Sequence, residues 1–207
     1  MRSAGKLLIQ IPQKLKNEVK LSDGRVLYLD PTYNKFENRV VDAKLYSVPE
    51  KWGHIFNVGD RVWFHHSLVL GNDQVVVDWE NDIFQIDFTE EHTFNCLVYM
   101  IERDGERWTV NDFVFVKPIE EEKYTKIGSL YVPETANQTE TWRAEVIYLN
   151  EYVRDSLGIE EGNQIVFTKD QRTGKARGAY EIEVDGEILW RMRSDRNILA
   201  IVEDGVR

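Results

Sequence analysis

The chain has 207 residues, enough for one large domain or two small ones, with the apolar and charged fractions of an ordinary globular protein. A net charge of -10, from 26 basic and 36 acidic residues, argues against a general nucleic-acid binder and against docking on anionic lipid. One cysteine, Cys96, permits no internal disulfide and fits a reducing cytoplasm, and no signal peptide or membrane span is expected.

Val and Ile number 37 against seven Ala, so residues suited to a pleated surface outnumber the best helix formers. The fold class is all-β. In chain order, short β-branched runs bounded by turn residues predict strands over 6–11, 40–48, 60–64, 75–79, 94–101, 113–116, 142–149, 164–168, 180–184 and 198–202. The one helical turn expected spans 151–157. Asp104-Gly105 and Asp185-Gly186 each predict a hairpin, because both central residues need positive φ.

The chain also repeats itself. Leu27-Tyr28-Leu29 lies 103 positions before Leu130-Tyr131-Val132, and Phe56-Asn57-Val58-Gly59-Asp60-Arg61-Val62-Trp63-Phe64 lies 103 before Ile159-Glu160-Glu161-Gly162-Asn163-Gln164-Ile165-Val166-Phe167. The hairpins at Asp104-Gly105-Glu106 and Asp185-Gly186-Glu187 follow in the same order but only 81 apart, which assigns about 22 extra residues to the first half. The expectation is two fused β units, residues 1–111 and 112–207, with an insertion over 71–93. Phe113-Val114-Phe115-Val116 either closes the first unit or opens the second. The insertion holds seven acidic residues and no Lys or Arg, and reads as an added acidic hairpin.

Several chemistries are excluded. Adjacent His65 and His66 on a strand point to opposite faces and cannot chelate together, and no second pair completes a site with His92 and Cys96. Asp78–Asp82 lacks the glycine and terminal Glu of a calcium loop. Gly174-Lys175 lacks the spacing of a phosphate loop. No cofactor is expected.

The second half resembles the GroES co-chaperonin family along its whole length. Phe113-Val114-Phe115-Val116-Lys117-Pro118 is similar to that family's opening strand. Gly128-Ser129-Leu130-Tyr131-Val132-Pro133-Glu134-Thr135 is similar to its mobile loop. Glu161-Gly162-Asn163-Gln164-Ile165-Val166-Phe167 is similar to its Gly-Asp-x-Val-Val-Phe strand, with Asn163 in place of the usual Asp. Asp185-Gly186-Glu187 and Arg193–Ile201 are similar to its final hairpin and closing strand.

The resemblance implies a small β-barrel, a homo-oligomeric ring, and a lid on a GroEL-type chaperonin ring that encloses an unfolded client protein. It implies no enzyme activity, since nucleotide hydrolysis belongs to the partner. It also implies that Gly128, Ser129, Leu130, Tyr131 and Val132, and in the first half Leu27, Tyr28 and Leu29, meet the chaperonin. An aromatic at the centre of each tripeptide departs from the common aliphatic form. Only residues 150–158 stand where the family often carries a roof hairpin, as in some bacteriophage co-chaperonins, which implies a more open dome suited to a large client such as a capsid protein. The alternatives are an assembly protein that keeps the fold without lid activity, and an enzyme. The barrel also occurs in medium-chain alcohol dehydrogenases, but this chain lacks their Gly-x-Gly-x-x-Gly unit and zinc-ligand clusters.

Overall fold

The computed structural model describes residues 1–11, 18–20, 24–28, 40–65, 76–90, 97–119, 124–127, 130–133, 141–168 and 179–202, with 18–20, 124–127, 130–133, 141–142 and 168 given by their backbone. These residues form two compact units, Met1–Val110 and Asn111–Arg207. Each is built on one antiparallel sheet.

The second unit shows its design most clearly. Its strands are β10 (Phe113–Ile119), β13 (Thr141–Tyr148), β14 (Gln164–Thr168), β15 (Tyr180–Val184), β16 (Glu187–Arg193) and β17 (Ile198–Val202), in the spatial order β15-β16-β10-β13-β14-β17. β10 therefore opens the second unit: both of its partners, β13 and β16, lie there.

The alternating apolar residues of these strands converge on one core. Val114, Val116, Ala144, Val146, Ile165, Phe167, Trp190 and Met192 are buried together. In a flat sheet, β14 and β16 would stand about 14 Å apart, three strand spacings of about 4.8 Å. The Phe167 and Trp190 rings are instead 5.8 Å apart. The sheet is thus strongly curled, and its inward side chains fill the small barrel it makes.

The helical turn over 151–157 is α1 (Glu151–Leu157). Asn150 caps it, its side chain accepting the Val153 N–H at 2.9 Å. Gly158 ends it at φ 65°, donating its N–H to the Arg154 carbonyl at 2.8 Å. Val153 anchors it in the core. α1 stands where the resemblance places a roof hairpin.

The first unit repeats this plan. β1 (Leu7–Gln10), β4 (Asp42–Ser47), β5 (Arg61–Phe64), β6 (Val76–Asp78), β7 (Ile83–Ile86), β8 (Val98–Arg103) and β9 (Glu106–Thr109) run in the order β6-β7-β1-β4-β5-β8-β9. β1 pairs with β4 and β7 as β10 pairs with β13 and β16, and β5 pairs with β8 as β14 pairs with β17. The irregularities match too. Register shifts fall at Leu8/Ile9 and at the equivalent Phe115/Val116, and again at Trp63/Phe64 and Val166/Phe167. Bulges are local features that sequence drift rarely preserves by accident.

This correspondence corrects the expected insertion. The hairpin between 71 and 93 is present as β6–β7, and it occupies the place of β15–β16. It is not additional. The hairpin at Asp104-Gly105 joins β8 to β9, and β9 is the strand with no counterpart among the described residues of the second unit. The offset between units slides from 103 at Arg61 and Gln164 to 100 at Val98 and Ile198. Asp104-Gly105 thus aligns with Asp204-Gly205, outside the described residues, and not with Asp185-Gly186.

Candidate functional site

Between the first two main strands of each unit lies a separate two-stranded ribbon. In the first unit β2 (Glu18–Lys20) pairs, among the described residues, only with β3 (Val26–Tyr28), in the register Glu18 to Tyr28, Val19 to Leu27 and Lys20 to Val26. In the second, β11 (Tyr124–Ile127) pairs, among the described residues, only with β12 (Leu130–Pro133), with Thr125 opposite Val132, Lys126 opposite Tyr131 and Ile127 opposite Leu130.

The expected chaperonin-contacting residues fall on the second strand of each ribbon. Leu130, Tyr131 and Val132 are on β12, and Leu27 and Tyr28 are on β3. Leu29, Gly128 and Ser129 lie outside the described residues. The backbone of Leu130-Tyr131-Val132 and of Leu27-Tyr28 is thus extended and paired.

Neighbouring side chains on a strand point to opposite faces, so a strand packed on a core hides every second residue. β3 hides none. Val26, Leu27 and Tyr28 are 41%, 51% and 76% exposed. Both faces of β3 are open, and Tyr28 is the most exposed large apolar side chain among the described residues. Val26 was not expected in the site; its place directly before Leu27 in the unbroken apolar run Val26-Leu27-Tyr28-Leu29 was the available signal.

The ribbons are reached from rigid strands. In the second unit β10 leads toward β11, and Lys117 on β10 meets Glu187 on β16 at 2.6 Å; that carboxylate raises the lysine's pKa. In the first unit the strand after the ribbon, β4, is fixed to β5 by the Arg61 to Asp42 pair at 2.7 Å.

Further exposed apolar side chains belong to α1, where Tyr152 is 55% and Leu157 40% exposed. Among the described residues no three His, Cys, Asp or Glu side chains stand close enough to hold a metal ion. No helix among them is long and apolar enough to cross a membrane.

No curated protein matches this chain. The family model of the chaperonin 10 kDa subunit matches residues 108–202, which spans β10 to β17 and includes the β11–β12 ribbon. The second unit of this chain is therefore a chaperonin 10 kDa subunit domain, a member of the GroES-type co-chaperonin family.

Proposed function

We propose that the chain is a tandem co-chaperonin. In this reading both units are GroES-like, both ribbons contact a GroEL-type chaperonin, and chains form a ring that closes the chaperonin cavity over an unfolded client. The observation that carries it is the recurrence of a Leu-Tyr pair on the second strand of the ribbon in both units, Leu27-Tyr28 on β3 and Leu130-Tyr131 on β12.

The energetics suit a reversible lid. A two-stranded ribbon with no third strand is marginal on its own in water. A short apolar segment presented this way binds weakly one copy at a time. Two ribbons per chain, multiplied around a ring, raise the effective concentration and turn weak contacts into firm but releasable attachment. No residue is required to make or break a bond, so ATP hydrolysis falls to the partner ring. The setting is a cytoplasm, the host's if the chain is viral. With α1 in place of a roof hairpin the dome is more open, and large clients are its natural cargo.

Co-sedimentation with a chaperonin tests this. The chain is expected to pellet with the ring in ATP or ADP and to remain in solution without nucleotide. Absence of nucleotide-dependent binding would overturn the lid reading and leave a GroES-fold assembly protein.

A further inference from the structure

The two ends of each unit differ. β1 and β10 each run toward one end and lead on from there to a ribbon. The β6–β7 and β15–β16 turns lie at these same ends. In the first unit Gln10 Nε2 donates to the Asn81 carbonyl at 3.1 Å, and the Ile11 N–H donates to the Asp82 carbonyl at 3.0 Å. In the second, Lys117 meets Glu187, beside the turn, at 2.6 Å. α1 follows β13 at the opposite end, where Tyr148 stands opposite Phe115. Each turn therefore stands at the end of its sheet from which the ribbon departs.

Both turns hold out a large apolar side chain. Trp79 is 62% exposed and Ile188 55% exposed. The inward places beside them are filled by Ile83 and Leu189, both fully buried, so neither residue is needed by its core. Carboxylates flank each one: Asp78, Glu80 and Asp82 in the first unit, and Glu183, Asp185 and Glu187 in the second. The first turn is also fixed before any partner arrives. Asp78 Oδ1 accepts the N–H groups of Glu80 and Asn81 at 3.0 and 3.2 Å, and Oδ2 accepts from Asn81 Nδ2 at 2.8 Å. A preformed turn spends little ordering entropy on binding. An exposed apolar side chain rimmed by polar groups is the pattern of a contact surface, and tryptophan is the side chain that contributes most at such places. The flanking carboxylates and the face of the Trp79 ring both favour a cationic neighbour.

We propose that these two turns form a second contact with the chaperonin ring, separate from the ribbons. Trp79 and Ile188 would rest on apolar side chains of the ring that have Lys or Arg beside them. The inference rests on the lid reading and deepens it. The ribbons hold the ring as marginal two-stranded tethers, whereas the turns are built into the main sheets and set the angle at which each unit stands on the ring. Binding at both elements of a unit is linked, so a modest contact at the turn adds strongly to the whole.

The test measures affinity for a GroEL-type ring in ADP, using the full chain at several salt concentrations. Trp79→Ser combined with Ile188→Ser is expected to bind about tenfold more weakly than wild type. Both positions are exposed, and an unchanged far-ultraviolet circular dichroism spectrum confirms the fold. Glu80→Lys, a second and independent variant, is expected to weaken binding and to flatten its decline with added salt, because it removes an attraction that salt screens. Folded variants that bind like wild type, with the same salt dependence, overturn the proposal and leave the lid reading intact if Tyr28→Asp and Tyr131→Asp still weaken binding. Variants that bind normally but slow client folding assign the turns to the client and also overturn it. A wild type that shows no nucleotide-dependent binding removes the lid reading, and the proposal with it.

Discussion

Asp60 and Asn163 make the same backbone contact in the two units. Asp60 Oδ2 accepts the N–H of Asn57 at 2.7 Å, and Asn163 Oδ1 accepts the N–H of Glu160 at 2.9 Å. The turns around them are superimposable bond for bond. Gly59 and Gly162, at φ 94° and 84°, each donate to the second main strand, to the Leu45 and Val146 carbonyls at 2.8 Å. The difference lies in what the other side-chain oxygen meets. Asp60 is buried and paired with Arg103 through two hydrogen bonds, at 2.9 and 2.7 Å. Asn163 serves the turn without a charge, which accounts for a departure from the family pattern.

The first prediction follows from that contrast. Arg103→Met removes the partner of a nearly fully buried carboxylate and should cost the first unit about 3–5 kcal/mol. Adding Asp60→Asn should recover most of the loss, because the amide keeps the Asn57 contact as Asn163 keeps its own. Urea unfolding of the single and double variants measures it; a double variant no more stable than Arg103→Met contradicts the account.

The ribbons carry the second prediction. Tyr28→Asp and Tyr131→Asp put a charge at the centre of each tripeptide. Each should weaken nucleotide-dependent chaperonin binding at least about tenfold, with a larger loss when combined, since two linked contacts act as one. Tyr28 is 76% exposed, so Tyr28→Asp should leave the melting temperature within about 2 °C of wild type. Binding of the double variant equal to wild type would remove the ribbons from the interface.

A third concerns the start of the second unit. Asp112 and Arg193 are both buried, with Oδ2 and Nη2 2.7 Å apart, and Asp195 lies 3.3 Å from the same guanidinium. Burial, reinforced by the hydrogen bond to Asp195, raises the Asp112 pKa against the pull of Arg193. A carboxyl with a raised pKa binds its proton more tightly in the folded state. Its contribution is therefore most favourable in acid and is lost as pH rises from the unfolded value, about 3.9, through the folded one. Asp112→Asn should consequently be most destabilising at the acid end and progressively less so toward neutral pH. Urea midpoints at a series of pH values read the trend; a cost that grows with pH contradicts it.

The fourth tests the caps of α1. Asn150→Ala loses the Val153 contact and the donation to the Asn111 carbonyl, and should cost about 1–2 kcal/mol. Gly158→Ala meets no steric neighbour, so its cost, about 1 kcal/mol, comes from the left-handed backbone alone. Equal stability of both variants and wild type would show that α1 does not depend on its caps.

Much of this was legible in the sequence because the unit is written twice. β-branched runs marked the strands β1, β4, β5, β6, β8, β10, β13, β14, β15 and β17, and α1 was bounded correctly by Asn150 and Gly158. The pairing of hairpins was misread for a physical reason. Asp-Gly is a local turn signal and says nothing of which strand the hairpin joins. Asp104-Gly105 and Asp185-Gly186 look alike, yet one turn leads to an outer strand and the other borders β10. The true counterpart of the second is the β6–β7 turn, where Asp82 takes φ 53° without a glycine after it. The ribbon strands were equally hidden, because three exposed apolar residues on β3 break the alternation by which half-buried strands are recognised.

The central claim is that this chain closes a chaperonin ring with both of its units. Single-particle imaging of the chain mixed with a GroEL-type ring and ADP tests it most directly. The account predicts a cap at the end of the ring, joined to it by two ribbon contacts per chain and absent without nucleotide. Rings without a cap, or a cap joined through the second unit alone, would contradict it.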